Sequence, residues 1–323
     1  MNLSAILSAF ALLFLCGGAP SPAHAQTYPA RPIRLIIPFP PGGSNDIVGR
    51  MIGAQLSQRL GQQVVPDNRG GAGGVIGTEG AARSQPDGYT LLIVSIAYAY
   101  NPSLYKLSFD PVKSFTPVSL LGRGPNVLAV HPSLPVKSTR ELIALAKARP
   151  GQLLYASAGV GTFQHLSSEL FRMMAGISMV HVPFKGGGPA MIDVIAGNSQ
   201  ISIGSLIQTL PHIRSGRLKA LGTGGAKRVP ALPDVPTISE SGLPGYEANN
   251  WWGVLAPAGT PSAVVTKLND ELAAILKSAE TQKRFSSEGA EAVSMAPDAF
   301  GKFIASEMAK WSKVVKEAGI RAE

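Results

Sequence analysis

The architecture of this chain is best predicted from one stretch, Arg34-Leu-Ile-Ile-Pro-Phe-Pro-Pro-Gly-Gly-Ser-Asn-Asp46. The apolar run Ile33 to Ile37 predicts a buried strand, which ends because the next residues are prolines and glycines. Ser44-Asn-Asp46 is a typical helix start, and apolar residues follow it at helical spacing. Such a turn exposes free N–H groups at the positive end of a helix dipole, an arrangement that binds anions. We therefore expect a small carboxylate to bind at this turn without being chemically changed.

Length and composition indicate a globular protein of about two domains. The chain has 323 residues, of which 45% are hydrophobic and 15% charged.

Residues 1–25 resemble a signal peptide, because the apolar run Ala5 to Leu15 is too short to span a bilayer and Ala23-His24-Ala25 is a typical cleavage site. The alternative is a buried N-terminal helix, and the absence of Lys and Arg from Met1 to Ser4 is atypical of a leader. We expect export to the periplasm with cleavage near Ala25.

Cysteine content and charge exclude several classes of protein. The single cysteine, Cys16, lies in the leader, and the bulky Phe14-Leu15 before it argues against lipidation. The exported chain would therefore have no disulfide, catalytic thiolate or cysteine metal site. The net charge is +9, but the basic residues are scattered, so we expect no nucleic-acid partner. No other stretch approaches the length of a membrane span.

Strands and helices alternate along the chain, which predicts an α/β fold with mostly parallel sheets flanked by helices. Four strands end in glycine turns that open helices; besides the first turn these are Asp67–Gly74, Ser157–Thr162 and Lys185–Pro189. We predict one domain from 26–122 plus 246–323 and a second from 123–245, with hinge crossings between them. Ligands of such sheets bind beyond the strand ends, so all four turns should face one cleft. Ile96 to Phe115 is predicted as a long loop bordering that cleft.

Motif searches reveal no catalytic, metal or cofactor site. Phosphate-binding loops, hydrolase elbows and zinc signatures are missing. His165 could contact a ligand or make a local hydrogen bond, and Lys185 could meet an anion or remain in solvent. Asp46 is expected to accept from N–H groups of its own helix, because its charge would repel an anion. Trp251-Trp252 is expected to pack in the core or at the hinge rather than to form a stacking platform.

The ordered set of motifs resembles the Bug family of periplasmic solute receptors, the binding components of tripartite tricarboxylate transporters. The resemblance covers the whole exported chain. It rests on Tyr28-Pro-x-Arg-Pro-Ile-Arg34, Pro38-Phe-x-Pro-Gly-Gly-x-x-Asp46, Asn68-x-x-Gly-Ala-x-Gly74, Pro86-Asp-Gly-Tyr89, Asn101-Pro, Tyr155-Ala-Ser-x-Gly-x-Gly161, His165-Leu166, Val182-Pro-Phe-Lys-Gly-Gly187, Pro189-Ala190 and Ala256-Pro-Ala-Gly-Thr-Pro261. Each motif alone is weak, but their order and spacing together are specific.

This resemblance implies a two-domain Venus flytrap that grips a carboxylate between Pro41 to Asp46 and Ser157 to Thr162. It also implies a partner, a membrane permease of one large and one small subunit driven by an ion gradient. We expect the receptor to be a monomer without a cofactor. The candidate ligand-binding residues are Phe39, Pro41, Gly42, Gly43, Ser44, Asp46, Ser157, Gly159, Gly161, Thr162, His165, Lys185, Gly186 and Ser205.

One departure from the family pattern bears on the ligand. Relatives often carry an acidic residue in the segment that reads Ile201-Ser-Ile-Gly-Ser205 here, and it can meet a ligand ammonium. We therefore expect an organic or aromatic acid without an ammonium group, chosen by Ile96 to Tyr100 and the rim near Gln208. The alternatives are a receptor that signals to a sensor kinase and an exported enzyme acting on a carboxylate.

Overall fold

A computed structural model describes residues 28–317, so the predicted signal peptide and Cys16 lie outside the described residues. The strands are β1 (Ile33–Ile37), β2 (Val64–Asn68), β3 (Thr90–Ser95), β4 (Phe115–Val130), β5 (Leu154–Ser157), β6 (Val180–Pro183), β7 (Ile201–Ser205), β8 (Lys219–Thr223), β9 (Asn249–Pro257) and β10 (Glu291–Ala292). The helices are α1 (Ser44–Leu60), α2 (Val75–Ala82), α3 (Ile96–Leu104), α4 (Thr139–Ala148), α5 (Phe163–Ala175), α6 (Gly187–Ile195), α7 (Leu206–Arg214), α8 (Ser262–Lys277), α9 (Ala279–Ser287) and α10 (Pro297–Glu317).

The strands form a continuous mixed sheet in the order β2-β1-β3-β9-β4-β7-β5-β6, with β8 and β10 also paired to β4. β1 is parallel to β2 and β3, and β5 is parallel to β6 and β7. The predicted α/β fold is confirmed. The sheet is mixed because β9 is antiparallel to β3 and β4, and β4 is antiparallel to β7 and β8.

Strand β4 joins the two halves of this sheet. Its residues Phe115 to Pro125 pair with β9, whereas Asn126 to Val130 pair with β7 and β8. The backbone of Asn126 accepts from Gly224 and donates to Ala248, over 2.9 and 3.2 Å. We use "first lobe" for residues 28–122 with 246–317 and "second lobe" for 123–245, following the boundaries predicted from the sequence.

Strands β1 and β3 of the first lobe are buried on both faces, which explains their nearly uninterrupted apolar composition. Ile33, Leu35 and Ile37 of β1 pack with helices α1 and α8, and Ile36 faces the opposite cluster. Trp251-Trp252 likewise points to opposite faces, and the two side chains are 3% and 1% exposed. Both tryptophans therefore belong to the core, as expected.

The prediction of a long loop from Ile96 to Phe115 was wrong over its first nine residues, which form helix α3. The Asn101-Pro102 pair suggested a break, but Pro102 lies inside the helix. Tyr98 packs edge-on against Phe115, and Tyr100 packs in the same way against Trp311 of α10. The helix is stabilised by this burial, which outweighs the cost of an internal proline. Across residues 28–317, the helices all fall short of the length and apolar character that a membrane crossing requires.

Candidate functional site

A small cavity of about 40 Å³ lies where strand ends of the two lobes meet. It is lined by Phe39, Gly43, Ser44, Asn45, Ser95, Ala97 and Asn250 of the first lobe and by Ala158, Thr162, Phe163, Gln164, Gly187, Ser205 and Gln208 of the second. The lining contains no charged side chain. Its polar groups are hydroxyls, carboxamides and backbone amides.

Five helices begin at this cavity. Each of α1, α3, α5, α6 and α7 follows a strand and contributes at least one residue of its first turn or its N-cap to the wall. At α1, α3, α6 and α7 no side chain of the N-cap residue caps the free N–H groups. Helix dipoles place partial positive charge at these ends. The cavity can therefore hold an anion without a lysine or arginine.

The carboxylate of Asp46 stabilises the first-lobe turn through hydrogen bonds. It accepts from the Gly42 amide over 3.0 Å, from Arg50 Nε over 2.8 Å and from Asn68 Nδ2 over 2.9 Å. The side chain was expected to bond N–H groups of its own helix. Of its three donors, Arg50 belongs to that helix, Gly42 to the preceding turn and Asn68 to the end of β2. Asp46 is 5% exposed and does not line the cavity. It shapes the turn that presents Gly43 and Ser44.

Asn250 connects the two lobes at the cavity floor. Its Oδ1 accepts from the amides of Trp251 and Ile96, over 2.9 and 3.4 Å. Its Nδ2 donates to the hydroxyl of Ser205 over 3.0 Å, and Ser44 Oγ lies at 3.5 Å. The side chain is 2% exposed. Asn250 therefore ties the starts of α1, α3 and α7 together.

The second-lobe turn, Ser157–Thr162, is ordered by its own hydroxyls. The Gly159 amide donates to Ser157 Oγ over 3.1 Å, and Thr162 Oγ1 donates to the Gly159 carbonyl over 2.7 Å. Gly159 has a φ of +118°, a conformation that side chains disfavour. His165 Nδ1 accepts from the Gly161 amide over 3.3 Å, so His165 makes the local bond that was one of its two expected roles.

Three stacked aromatic side chains pack against this turn. His181 lies between Tyr155 and His165, with ring centroids 4.8 and 4.4 Å apart. Its Nε2 is 2.6 Å from Ser157 Oγ, a serine–histidine pair that no sequence motif indicated. Burial, helped by the nearby His165, lowers the pKa of His181 to about 4. Neither Ser157 nor His181 lines the cavity, so the pair supports the turn rather than a reaction.

Gln164 and Gln208 form a chain of two hydrogen bonds in the second lobe, called the relay below. Gln208 Nε2 donates to the Gly187 carbonyl over 2.7 Å, and Gln164 Nε2 lies 3.5 Å from Gln208 Oε1. Both side chains are buried in the cavity wall, at 6% and 5% exposure. The relay connects the first turns of α5, α6 and α7.

The two lobes are in contact around the cavity, so the structure is closed. A Cβ on Gly188 would lie 2.7 Å from the Pro41 carbonyl oxygen, and one on Gly186 would lie 2.7 Å from Pro40 Cγ. Tyr105 Oη donates to the Val160 carbonyl over 2.9 Å. These contacts join first-lobe residues to second-lobe residues.

The sequence-predicted site residues divide into several groups. On the cavity wall are Phe39, Gly43, Ser44, Thr162 and Ser205. A neighbouring groove contains Pro41 and Gly42, Gly186 touches Pro40, and Lys185 is exposed. The turns behind the wall contain Asp46, Ser157, Gly159, Gly161 and His165. Direct contact of any of them with a ligand remains a prediction.

Three of the four glycine turns contribute to the cavity wall, but the second turn, Asp67–Gly74, does not. The cavity wall instead includes the ends of β3 and β7, which pass directly into α3 and α7 at Ser95 and Ser205 with no glycine turn between strand and helix. The wall residues that were not individual candidates are Asn45, Ser95, Ala97, Ala158, Phe163, Gln164, Gly187, Gln208 and Asn250. Of these, Asn45, Ala97 and Ala158 fall in segments that were expected to hold or choose the ligand, and Gln208 was expected near the rim. A search for polar first-turn residues would have found Asn45 and Gln164. Among residues 28–317, no three His, Cys, Asp or Glu side chains cluster as metal ligands.

Comparisons with known proteins agree with this geometry. Residues 48–320 match the model of the tripartite tricarboxylate transporter family receptor. The chain is 40% identical to Protein BugT of Bordetella pertussis, over 99% of each chain. The structure of R. palustris Rpa4515 with adipate is 39% identical, with a TM-score of 0.89 over 91% of this chain and 100% of that one. MatC from Rhodopseudomonas palustris with bound malate is 32% identical, with a TM-score of 0.84 over 89% of this chain and 100% of that one.

Proposed function

This chain belongs to the tripartite tricarboxylate transporter receptor family, and from that premise we propose that it captures a small organic or aromatic acid in the periplasm for a transporter. Its relatives are solute-binding proteins, and the protein is a binding protein rather than an enzyme. Its structural relatives Rpa4515 and MatC contain adipate and malate, which are both carboxylates.

The convergence of five helix N-termini on one uncharged cavity is the observation that supports this proposal. Free N–H groups there can bind carboxylate oxygens at low ordering cost, because the backbone is already fixed. A carboxylate gains the dipole interaction at every such end, whereas a cation would be repelled. The two turns, around Gly43 and Thr162, belong to different lobes, so one carboxylate would hold the lobes together.

The ligand that we propose carries no ammonium group. The cavity wall contains no Asp or Glu side chain, and the carboxylate of Asp46, behind the first-lobe turn, is engaged by Gly42, Arg50 and Asn68. Burying an ammonium without an opposing charge is costly. Organic and aromatic acids fit this wall better than amino acids do.

We further propose that the receptor acts as a monomer and delivers its ligand to a permease of one large and one small membrane subunit. In this proposal the permease recognises the surface that the two lobes form when they are closed. The contact between Gly188 and Pro41 would exist only in that closed form. In this proposal residues 1–25 direct export and are removed near Ala25.

Two measurements test the proposal. Native mass spectrometry of protein purified without refolding should reveal a retained acid, and thermal-shift screening should give a Tm rise of several degrees for at least one acid in excess. A larger shift with aspartate or glutamate than with any amine-free acid would contradict the ligand class. Deleting the gene should abolish uptake of the acid; intact uptake with lost gene induction would instead indicate signalling to a sensor kinase.

A further inference from the structure

One residue of the cavity wall has a buried polar atom without a partner. Eight buried side-chain polar atoms lack a hydrogen bond in the described residues, and only Gln164 Oε1 among them belongs to a residue that lines the cavity. Gln164 is 5% exposed. A buried carboxamide oxygen without a donor is unfavourable, since it has lost its water without replacement.

The relay determines which atom of Gln164 is left unpaired. The Gly187 carbonyl requires a donor, so Gln208 must present its Nε2 there and its Oε1 toward Gln164. Gln164 must then present its Nε2 to Gln208 Oε1, at 3.5 Å. Turning either carboxamide over would bring two oxygens together. The acceptor of Gln164 is therefore the free group.

Packing prevents this side chain from turning away. A Cβ at Gly204 would lie 2.6 Å from Gln164 Nε2 and 3.2 Å from its Cγ. The carboxamide thus lies against the backbone of β7 at Gly204. Any larger residue at 204 would displace it. In this chain, Gln164 occupies the space above Gly204.

We propose that Gln164 Oε1 is a specificity-determining acceptor that takes a hydrogen bond from a neutral donor on the ligand, a hydroxyl or an amide N–H. This inference rests on the proposed function, because it assumes that the carboxylate of the same ligand engages the helix N-termini. The ligand is then a hydroxy acid or an amide-bearing acid. Ammonium is disfavoured as the donor because the wall supplies no opposing charge.

The donor should matter strongly for affinity. A site built around a ligand O–H or N–H discriminates against an analogue that lacks it, because the buried partner is then left unpaired. The cost of such an unpaired group corresponds to roughly a 10- to 100-fold difference in Kd. An acid without the donor should bind more weakly by that factor.

Calorimetry with matched acids tests this inference. The probes are malate, succinate and aspartate, then lactate, propionate and alanine, which differ only in carrying hydroxyl, hydrogen or ammonium at one carbon. Wild-type protein should prefer the hydroxy acid of a series that it binds over the unsubstituted acid by about 10- to 100-fold. Gln164→Met keeps the length of the side chain without the acceptor, and it should reduce this preference to less than about threefold.

The variant Gln164→Glu tests for direct contact with the ligand. If Gln164 had only a structural role, this variant would not change the preference between the ammonium-bearing acid and the hydroxy acid. Its carboxylate supplies the opposing charge that the wall lacks, so the ammonium member should gain at least about tenfold relative to the hydroxy acid. Thermal unfolding without ligand controls for folding, with Gly80→Ala on the open side of α2 as a reference variant.

Each outcome decides the question. If carboxylates bind to wild type without preference for the hydroxy acid, or if Gln164→Met keeps the preference, the inference is overturned while the proposed function stands. If no carboxylate binds in either series or in the thermal-shift screen, the proposed function itself fails. Should Gln164→Met not fold, the wild-type preference and the Gln164→Glu exchange still decide.

Discussion

The hydroxyl of Tyr105 donates a hydrogen bond to the backbone carbonyl of Val160 over 2.9 Å, from the first lobe to the second. The ring also packs on the second-lobe turn, since a Cβ at Gly161 would lie 2.8 Å from Tyr105 Oη. Burial raises the pKa of Tyr105, so the hydroxyl remains a donor throughout the physiological range. The bond therefore joins the two lobes directly.

We expect Tyr105→Phe to weaken ligand binding while the fold stays intact. Loss of one hydrogen bond of about 0.5–1.5 kcal/mol should raise Kd roughly 2- to 12-fold, because the closed form loses that bond and the open form does not. Isothermal calorimetry measures the change. Tyr28→Phe is the matched control, since Tyr28 Oη donates to the Gly88 carbonyl within the first lobe, over 2.7 Å. An equal loss of affinity in both variants would contradict a closing role.

Gly188→Ala should hinder closure sterically. Gly188 lies in helix α6, where alanine is favourable, but the added Cβ would be 2.7 Å from the Pro41 carbonyl oxygen of the other lobe. We expect Kd to rise at least about tenfold and the free energy of unfolding to change by less than about 1 kcal/mol. Small-angle scattering should show that saturating ligand no longer compacts the protein. Gly80→Ala should leave the affinity unchanged and should raise the free energy of unfolding by no more than about 1 kcal/mol. Unaltered affinity in Gly188→Ala would refute the steric argument.

Asp46→Asn should disturb the first-lobe turn. The carboxylate accepts three hydrogen bonds, from Gly42, Arg50 and Asn68. A carboxamide cannot accept all three, because an NH2 donor replaces one of the two oxygens. We expect a loss of about 1–3 kcal/mol in the free energy of unfolding, measured by urea denaturation, together with weaker binding. Glu291→Gln removes a carboxylate that is 59% exposed and should change neither. Normal stability in Asp46→Asn would show that the turn does not depend on this carboxylate.

Acid should destabilise the protein partly through His181. Burial and then the nearby His165 lower the pKa of His181 to about 4, from about 6.5 in the unfolded chain. Between pH 6.5 and 4 the unfolded state therefore binds a proton that the native state does not, so stability falls as the pH falls through this window. This stability is fully present above pH 6.5 and is lost as the pH falls toward 4.

Urea denaturation of wild type and His181→Gln across pH 4 to 8 isolates this contribution, because other titrating groups are common to both proteins. The wild type should lose more stability on acidification than the variant does. At pH 8 the difference between them measures lost packing and the lost contact with Ser157 alone. Parallel pH profiles would show that His181 is not the group responsible.

Local chemistry explains which elements could be predicted. The strand Ile33–Ile37, the turn of prolines and glycines after it, and the helix from Ser44 follow from backbone freedom and apolar spacing within a dozen residues. The same reasoning failed at Ile96–Leu104, because the rings of Tyr98 and Tyr100 are buried against Phe115 and Trp311, which are distant in sequence. Propensity at Pro102 could not reveal that burial.

The order of residues thus determined the α/β alternation, the positions of the turns and the expectation of an anion at a helix start, since each depends on neighbours along the chain. The tertiary structure alone decided that five helix N-termini meet, that Asn250 ties three of them together and that Gln164 keeps a free acceptor. These features depend on groups such as Gln164 and Gln208, or Asn250 and Ser205, that are more than 40 residues apart. Only the closed packing of the chain brings such groups within hydrogen-bonding distance.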